Sequence, residues 1–184
     1  MERSAKVAAV AFSLLAALAA QSALAQQKPA GMPMAFGGAE DVAFASKLWG
    51  AMKAAKLVGP DRINVQPFAG NEPHGAIQQV LDSQVTVAKR SGRVIVKVNH
   101  MGTDVKSVYA EPNKAIGAYT VMFKKPAGYD PENQNWFWVK YKPSGEIDKN
   151  EMGMLLAGRV AKGMDEGCIA CHRAIGGDDL EILK

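Results

Sequence analysis

Between Gln79 and Lys142 the apolar residues recur with a period of two, and no stretch of helical period interrupts them. Gln79 to Lys89 alternates through Val85 and Val87, and Ser91-Gly92 reads as a turn. Arg93 to His100 then carries Val94, Val96 and Val98 on one face and Ile95, Lys97 and Asn99 on the other. Ala118 to Lys124 and Trp136 to Lys142 are two further runs rich in Thr, Tyr, Val, Phe and Trp. The segment between them, Pro126 to Pro131, is dense in turn formers, and Pro143-Ser-Gly145 closes the last run. Ile63 to Phe68 is a fifth, short candidate. Successive strands without intervening helices imply an antiparallel sheet, here of about five strands.

Helical spacing flanks the sheet. Val42, Ala45, Leu48, Trp49, Met52 and Ala55 recur over Ala39 to Lys56, and Gly59-Pro60 ends the pattern. Met152 to Lys162 holds good helix formers and leads to Gly163. There are no internal repeats. The expected class is α+β: an N-terminal amphipathic helix, an antiparallel sheet, then a C-terminal helical segment that carries both cysteines.

The chain of 184 residues is of single-domain length. Its first segment reads as a targeting signal. Arg3 and Lys6 precede an uncharged apolar run from Val7 to Ala20, and Ala23-Leu24-Ala25 supplies small residues for cleavage. The run is shorter than the roughly 20 residues of a spanning helix. Residues 1–25 are therefore expected to be cleaved on export to the bacterial periplasm. Residues 26–38, rich in Gln, Pro, Gly and Met, form a flexible lead-in, and 39–184 form one domain with no later membrane span. The formal net charge of +4 is mild, and no basic stripe marks a nucleic-acid partner.

The two cysteines stand three apart, in Cys168-Ile-Ala-Cys-His172. Two thiols at this spacing, followed at once by histidine, form the C-x-x-C-H pattern of covalent haem attachment. The thiols can add to the two vinyl groups of one haem, and the histidine is then the proximal axial ligand. A thioredoxin-like redox pair would not need the histidine. A zinc site would need two more strong ligands, and the chain offers only His74 and His100 as further histidines. One covalent haem c is the expected cofactor, held by Cys168, Cys171 and His172, with His172 on the iron. No methionine lies among residues 173–184 to serve as the downstream second ligand of small electron-transfer cytochromes c. A four-helix cytochrome c′ does not fit the strands.

With these features the chain resembles the cytochrome P-460 family, which includes the β-sheet cytochromes c′-beta. The resemblance rests on the export signal, the antiparallel sheet, Arg93-Val-Ile-Val-Lys97, Asn135-Trp-Phe-Trp138 and Gly167-Cys-Ile-Ala-Cys-His172. It implies a small homodimer whose haem iron is five-coordinate with an open distal side. In the founding type a lysine is bonded to the haem edge and the protein oxidises hydroxylamine. The c′-beta type lacks that activity and binds nitric oxide or carbon monoxide. Lys97 matches the crosslinking lysine, although alternation alone does not say which face of its strand is buried. His74, between Pro73 and Gly75, reads as a turn histidine or as a distal acid/base group. His100 reads as exposed or structural. Phe68, Phe123 and Phe137 read as core or as distal wall, as do Trp136 and Trp138. Arg159 reads as solvated or as a propionate partner.

The expected function is binding, and oxidation, of a small nitrogen compound of the hydroxylamine and nitric oxide class. Electrons would pass to a periplasmic acceptor such as another cytochrome. Two alternatives stand beside it. One is a non-catalytic nitric-oxide-binding protein. The other is a six-coordinate electron carrier, with Met101, Met122, Met152 or Met154 as the second ligand.

Overall fold

A computed structural model describes residues 36–102 and 104–183. The expected signal, residues 1–25, and residues 26–35 of the 26–38 lead-in lie outside the described residues, whereas Phe36 is described and buried. The described part is α+β. Helix α1 (Ala39–Ala54) leads to a six-stranded sheet of β1 (Phe68–Ala69), β2 (Ile77–Val87), β3 (Arg90–His100), β4 (Ile116–Lys124), β5 (Trp136–Tyr141) and β6 (Ala157–Gly158). A short helix α2 (Val105–Ala110) lies between β3 and β4, and α3 (Cys168–Ile175) follows β6. The strands lie in chain order and every neighbouring pair is antiparallel, so the sheet is a meander.

Alternation along the strands makes two distinct faces. Val94, Val96 and Val98 of β3 join Tyr119, Val121 and Phe123 of β4 and Phe137, Val139 and Tyr141 of β5 in one buried cluster. Helix α1 covers this face with Ala45, Leu48 and Met52, all fully buried. The Tyr141 hydroxyl donates to the Ala45 carbonyl at 2.7 Å, which satisfies the one polar atom that β5 sends into this core. The opposite face carries Ile95, Met122, Trp136 and Trp138, packed with Phe36, Val160, Ala161, Ile169 and Leu180. The chain after β5 therefore covers the second face, and α3 lies in that cover.

Four sequence expectations require correction. The β2–β3 turn is at Ala88-Lys89, both left-handed (φ 50° and 68°), and not at Ser91-Gly92. Gly92 sits within the ladder opposite Val85, where a side chain would collide with the Lys124 carbonyl and the Phe123 ring at 2.5 Å. Its glycine reflects close approach in the sheet rather than a turn. Ile63 to Phe68 is not a strand: only Phe68 joins the sheet, paired with Gln78, while the Gln79 side chain binds Asn64 and the Val65 carbonyl. Met152 to Lys162 is not helical. Gly153 and Gly158 adopt φ of 79° and 107°, Lys149 bridges Leu155, and Ala157–Gly158 pairs with β5. Two left-handed glycines override the helix propensity of their neighbours. Helix α2, which the strand pattern passed over, starts where the Asp104 carboxylate accepts from the amides of Lys106 and Ser107.

Candidate cofactor site

A cavity of about 670 Å³ opens on the second face of the sheet. This is within the roughly 300–1,000 Å³ of small-molecule and cofactor sites. Its floor is set by strand register. Lys97, Thr120 and Lys140 are cross-strand neighbours in one row, and Ile95, Met122 and Trp138 form the next. Its roof comes from the segment after β6 and from α3, with Cys168, Cys171 and His172 all lining it. Phe36, Leu156 and Val160 complete a mostly apolar wall.

The helical spacing of α3 brings Cys168, Cys171 and His172 to one cavity, three and four residues apart. Both cysteines are free thiols and partly buried. Burial pushes the Cys168 thiol up to about 11. His172 is buried, and its Nδ1 lies 2.7 Å from the Leu180 carbonyl oxygen. A carbonyl only accepts, so Nδ1 carries the proton and Nε2 keeps its lone pair. That is the tautomer a metal-binding histidine needs, with its second nitrogen already oriented. The ring packs edge-on to Trp138 with centres 4.7 Å apart.

The tail after α3 is fixed by the sheet. Trp136 Nε1 donates to the Asp179 carbonyl at 3.0 Å. Arg93 donates to both carboxylate oxygens of Glu181, at 2.5 and 2.9 Å. The Leu180 carbonyl therefore sits between two anchors.

Lys97 is 5% exposed and lies on the cavity face, which settles the question that alternation left open. Desolvation lowers its pKa, opposed by the nearby Cys171 thiol. His74 also lines the cavity. Its Nδ1 lies 3.1 Å from Thr120 Oγ1, which in turn accepts from Asn99 Nδ2 at 3.2 Å. Burial, with Lys97, His172 and Lys140 nearby, lowers its pKa to about 4, so the ring is neutral. His74 is a turn residue as well, its amide bonded to the Asn71 carbonyl.

Other candidates fall elsewhere. His100 is fully buried, with Nε2 3.0 Å from Gln79 Oε1, and is not among the cavity-lining residues. Phe123 and Phe137 belong to the α1 core, not to the cavity. Phe68 lies at the outer edge, paired with Gln78. Arg159 is on no helix: it stacks on Tyr129 at 4.5 Å and binds the Tyr129 carbonyl. Of the four candidate methionines, Met122 lines the cavity, whereas Met101 and Met152 are 59% and 69% exposed. Sequence reasoning passed over Thr120, Lys140 and the Leu180 carbonyl. Lys140 stands two residues from Trp138, so strand alternation alone would have placed it on the same face.

The residues present fit a covalent haem on the chemistry of their donors. Two thiols and a correctly tautomerised imidazole converge on an apolar space, and Trp138 Nε1 is buried there without a hydrogen-bond partner among the described residues. No protein-family model matches the chain, and no curated protein or solved structure matches it either.

Proposed function

We propose that the protein is an exported, periplasmic monohaem c-type cytochrome of the cytochrome P-460 kind. It would bind and oxidise a small nitrogen compound of the hydroxylamine and nitric oxide class. The observation that carries this reading is the convergence of Cys168, Cys171 and His172 on one apolar cavity whose floor presents Lys97. Haem, when bound, supplies a redox-active iron able to take a small nitrogen ligand. The thiols of Cys168 and Cys171 would hold it, and His172 Nε2 would ligate the iron. The Leu180 carbonyl keeps that imidazole oriented. Ile95, Met122, Trp138 and Val160 give the space an apolar lining.

Lys97 offers an amine that burial makes easier to deprotonate. A bond from that amine to a haem-edge carbon would replace one N–H and one C–H bond, release two protons and pass two electrons to the periplasmic acceptor. His74, neutral and tied to Thr120, is able to take a proton from a substrate at its free nitrogen. Lys140, paired with Asp148 at 3.0 Å, supplies positive charge for a carboxylate of the cofactor. The protein works as a homodimer, and a periplasmic acceptor such as another cytochrome receives the electrons.

The test is turnover. Holoprotein given hydroxylamine and an artificial one-electron acceptor should reduce the acceptor in proportion to hydroxylamine. Nitric oxide binding without acceptor reduction would shift the reading to a non-catalytic c′-beta-like protein. A holoprotein that neither binds nitric oxide nor oxidises hydroxylamine would be an electron carrier, with Met122 as the methionine best placed to ligate.

A further inference from the structure

His172 and Leu180, eight residues apart, close a loop of the chain on themselves. Helix α3 ends at Ile175, a short 3-10 turn runs over Gly177–Asp179, and Leu180 bends back in a left-handed conformation. Gly176 makes the closure possible. Its φ of −83° is open to any residue. A side chain there, however, would put its Cβ 2.7 Å from the Leu180 carbonyl carbon and 2.6 Å from the His172 carbonyl oxygen. Glycine stands at this position for close approach, not for conformation.

Two side chains of the sheet fix the loop from outside it. Trp136, fully buried on β5, donates from Nε1 to the Asp179 carbonyl. Arg93 on β3 binds both carboxylate oxygens of Glu181. Asp82 on β2 aims the same guanidinium, with contacts of 2.6 and 3.0 Å. A planar fork gripped on two sides is a geometry that lysine cannot reproduce. The residues on either side of Leu180 are thus tied to separate strands.

The group held in this way is the acceptor of the His172 Nδ1 proton. An imidazole that donates from Nδ1 is more basic at Nε2 and a stronger ligand. That gain depends on alignment, because hydrogen bonds weaken steeply as their angle closes. Neither Arg93 nor Trp136 lines the cavity, so any influence they have on a bound cofactor passes through the tail.

We infer that Arg93 and Trp136 are positioning residues for the iron: by holding the Leu180 carbonyl against His172 they set the strength of the proximal bond. The inference rests on the haem reading above and deepens it. A firmly held, electron-rich His172 favours ferric over ferrous iron, and the opposite side of the iron stays open to the nitrogen compound.

The experiment is resonance Raman spectroscopy and potentiometry of the holoprotein from a host competent in cytochrome c maturation. In ferrous Glu181→Gln and Trp136→Phe the iron–histidine stretch should move to lower frequency, and furthest in the double variant. Reduction of the double variant should be about tenfold more favourable than that of wild type, roughly 59 mV higher in potential. Arg93→Lys, which keeps the charge but not the fork, should recover only part of what Arg93→Gln loses. Gly176→Ala, which crowds Leu180 without removing either anchor, should lower the same stretch. If Trp136→Phe takes up no haem, Glu181→Gln and Gly176→Ala decide. Variants that unfold more easily while the stretch and the potential keep their wild-type values overturn the inference and leave the haem reading intact. A wild-type polypeptide that carries no haem overturns both.

Discussion

His172 donates its Nδ1 proton to the Leu180 carbonyl at 2.7 Å, eight residues further along the chain. The acceptor is held from both sides, by Trp136 on Asp179 and by Arg93 on Glu181. Leu180 itself is left-handed, with φ 59°. A single backbone carbonyl in an unusual conformation thus depends on two sheet side chains for its position.

Loosening that anchor should show first in stability. Arg93 and Asp82 are over a third exposed, but Glu181 is 17% exposed and contacts Arg93 through both oxygens. Arg93→Gln should destabilise by about 1 kcal/mol, less at high salt. Chemical denaturation of Arg93→Gln, Glu181→Gln and the double variant measures the coupling. Additive effects would show that the pair does not hold the tail.

Lys97→Met should stabilise the haem-free polypeptide by roughly 1–3 kcal/mol, because it replaces a buried amine with an apolar side chain of like length. In holoprotein the same change should abolish hydroxylamine oxidation while haem stays attached through Cys168 and Cys171. Peptide mapping of wild type should find Lys97 on the haem peptide. A haem peptide with the cysteines alone, together with wild-type turnover in Lys97→Met, would remove Lys97 from the chemistry.

The two sheet faces should be separable by mutation. Leu48 is fully buried against the face that does not bear the cavity. Leu48→Ala should cost about 2–5 kcal/mol by leaving a hole in the core. It should leave the optical spectrum of the holoprotein unchanged. A shifted spectrum in Leu48→Ala would mean that the faces are coupled.

Acid should weaken the fold through His100. Burial and the Arg62 guanidinium lower its pKa to about 4, against about 6.5 in the unfolded chain. As pH falls between these values the unfolded chain takes up a proton and the folded chain does not, so stability falls with pH. The loss is on the order of 3 kcal/mol across that window and levels off below pH 4. His74, likewise held near 4, adds to the same slope, so His100→Gln should reduce the slope there without abolishing it, and denaturation midpoints measured from pH 7 to 4 in both proteins test this.

Much of the frame was legible before any coordinates. Period-two alternation placed β2 to β5, and the helical apolar spacing placed α1, because each rests on one face meeting one core. Met152 to Lys162 misled because helix formers outnumber Gly153 and Gly158, which take left-handed conformations, Gly153 in a turn closed by its amide on the Asn150 carbonyl and Gly158 close against Asp41. The Cys168–His172 cluster was legible as a motif. Lys97 was offered by resemblance and His74 as a turn residue or distal group, and both line the cavity, but Thr120 was passed over because only strand register brings it there. No residue pattern announces that the Leu180 carbonyl would face His172.

The measurement that tests the central claim most directly is the mass of the intact protein, expressed with residues 1–25 in place in a host that matures c-type cytochromes. The predicted mass is that of the chain from Gln26 plus one haem. Cys168→Ala and Cys171→Ala should each leave at most one thioether, and the double variant should lose the haem on denaturation. A wild-type mass equal to the bare polypeptide would contradict the account.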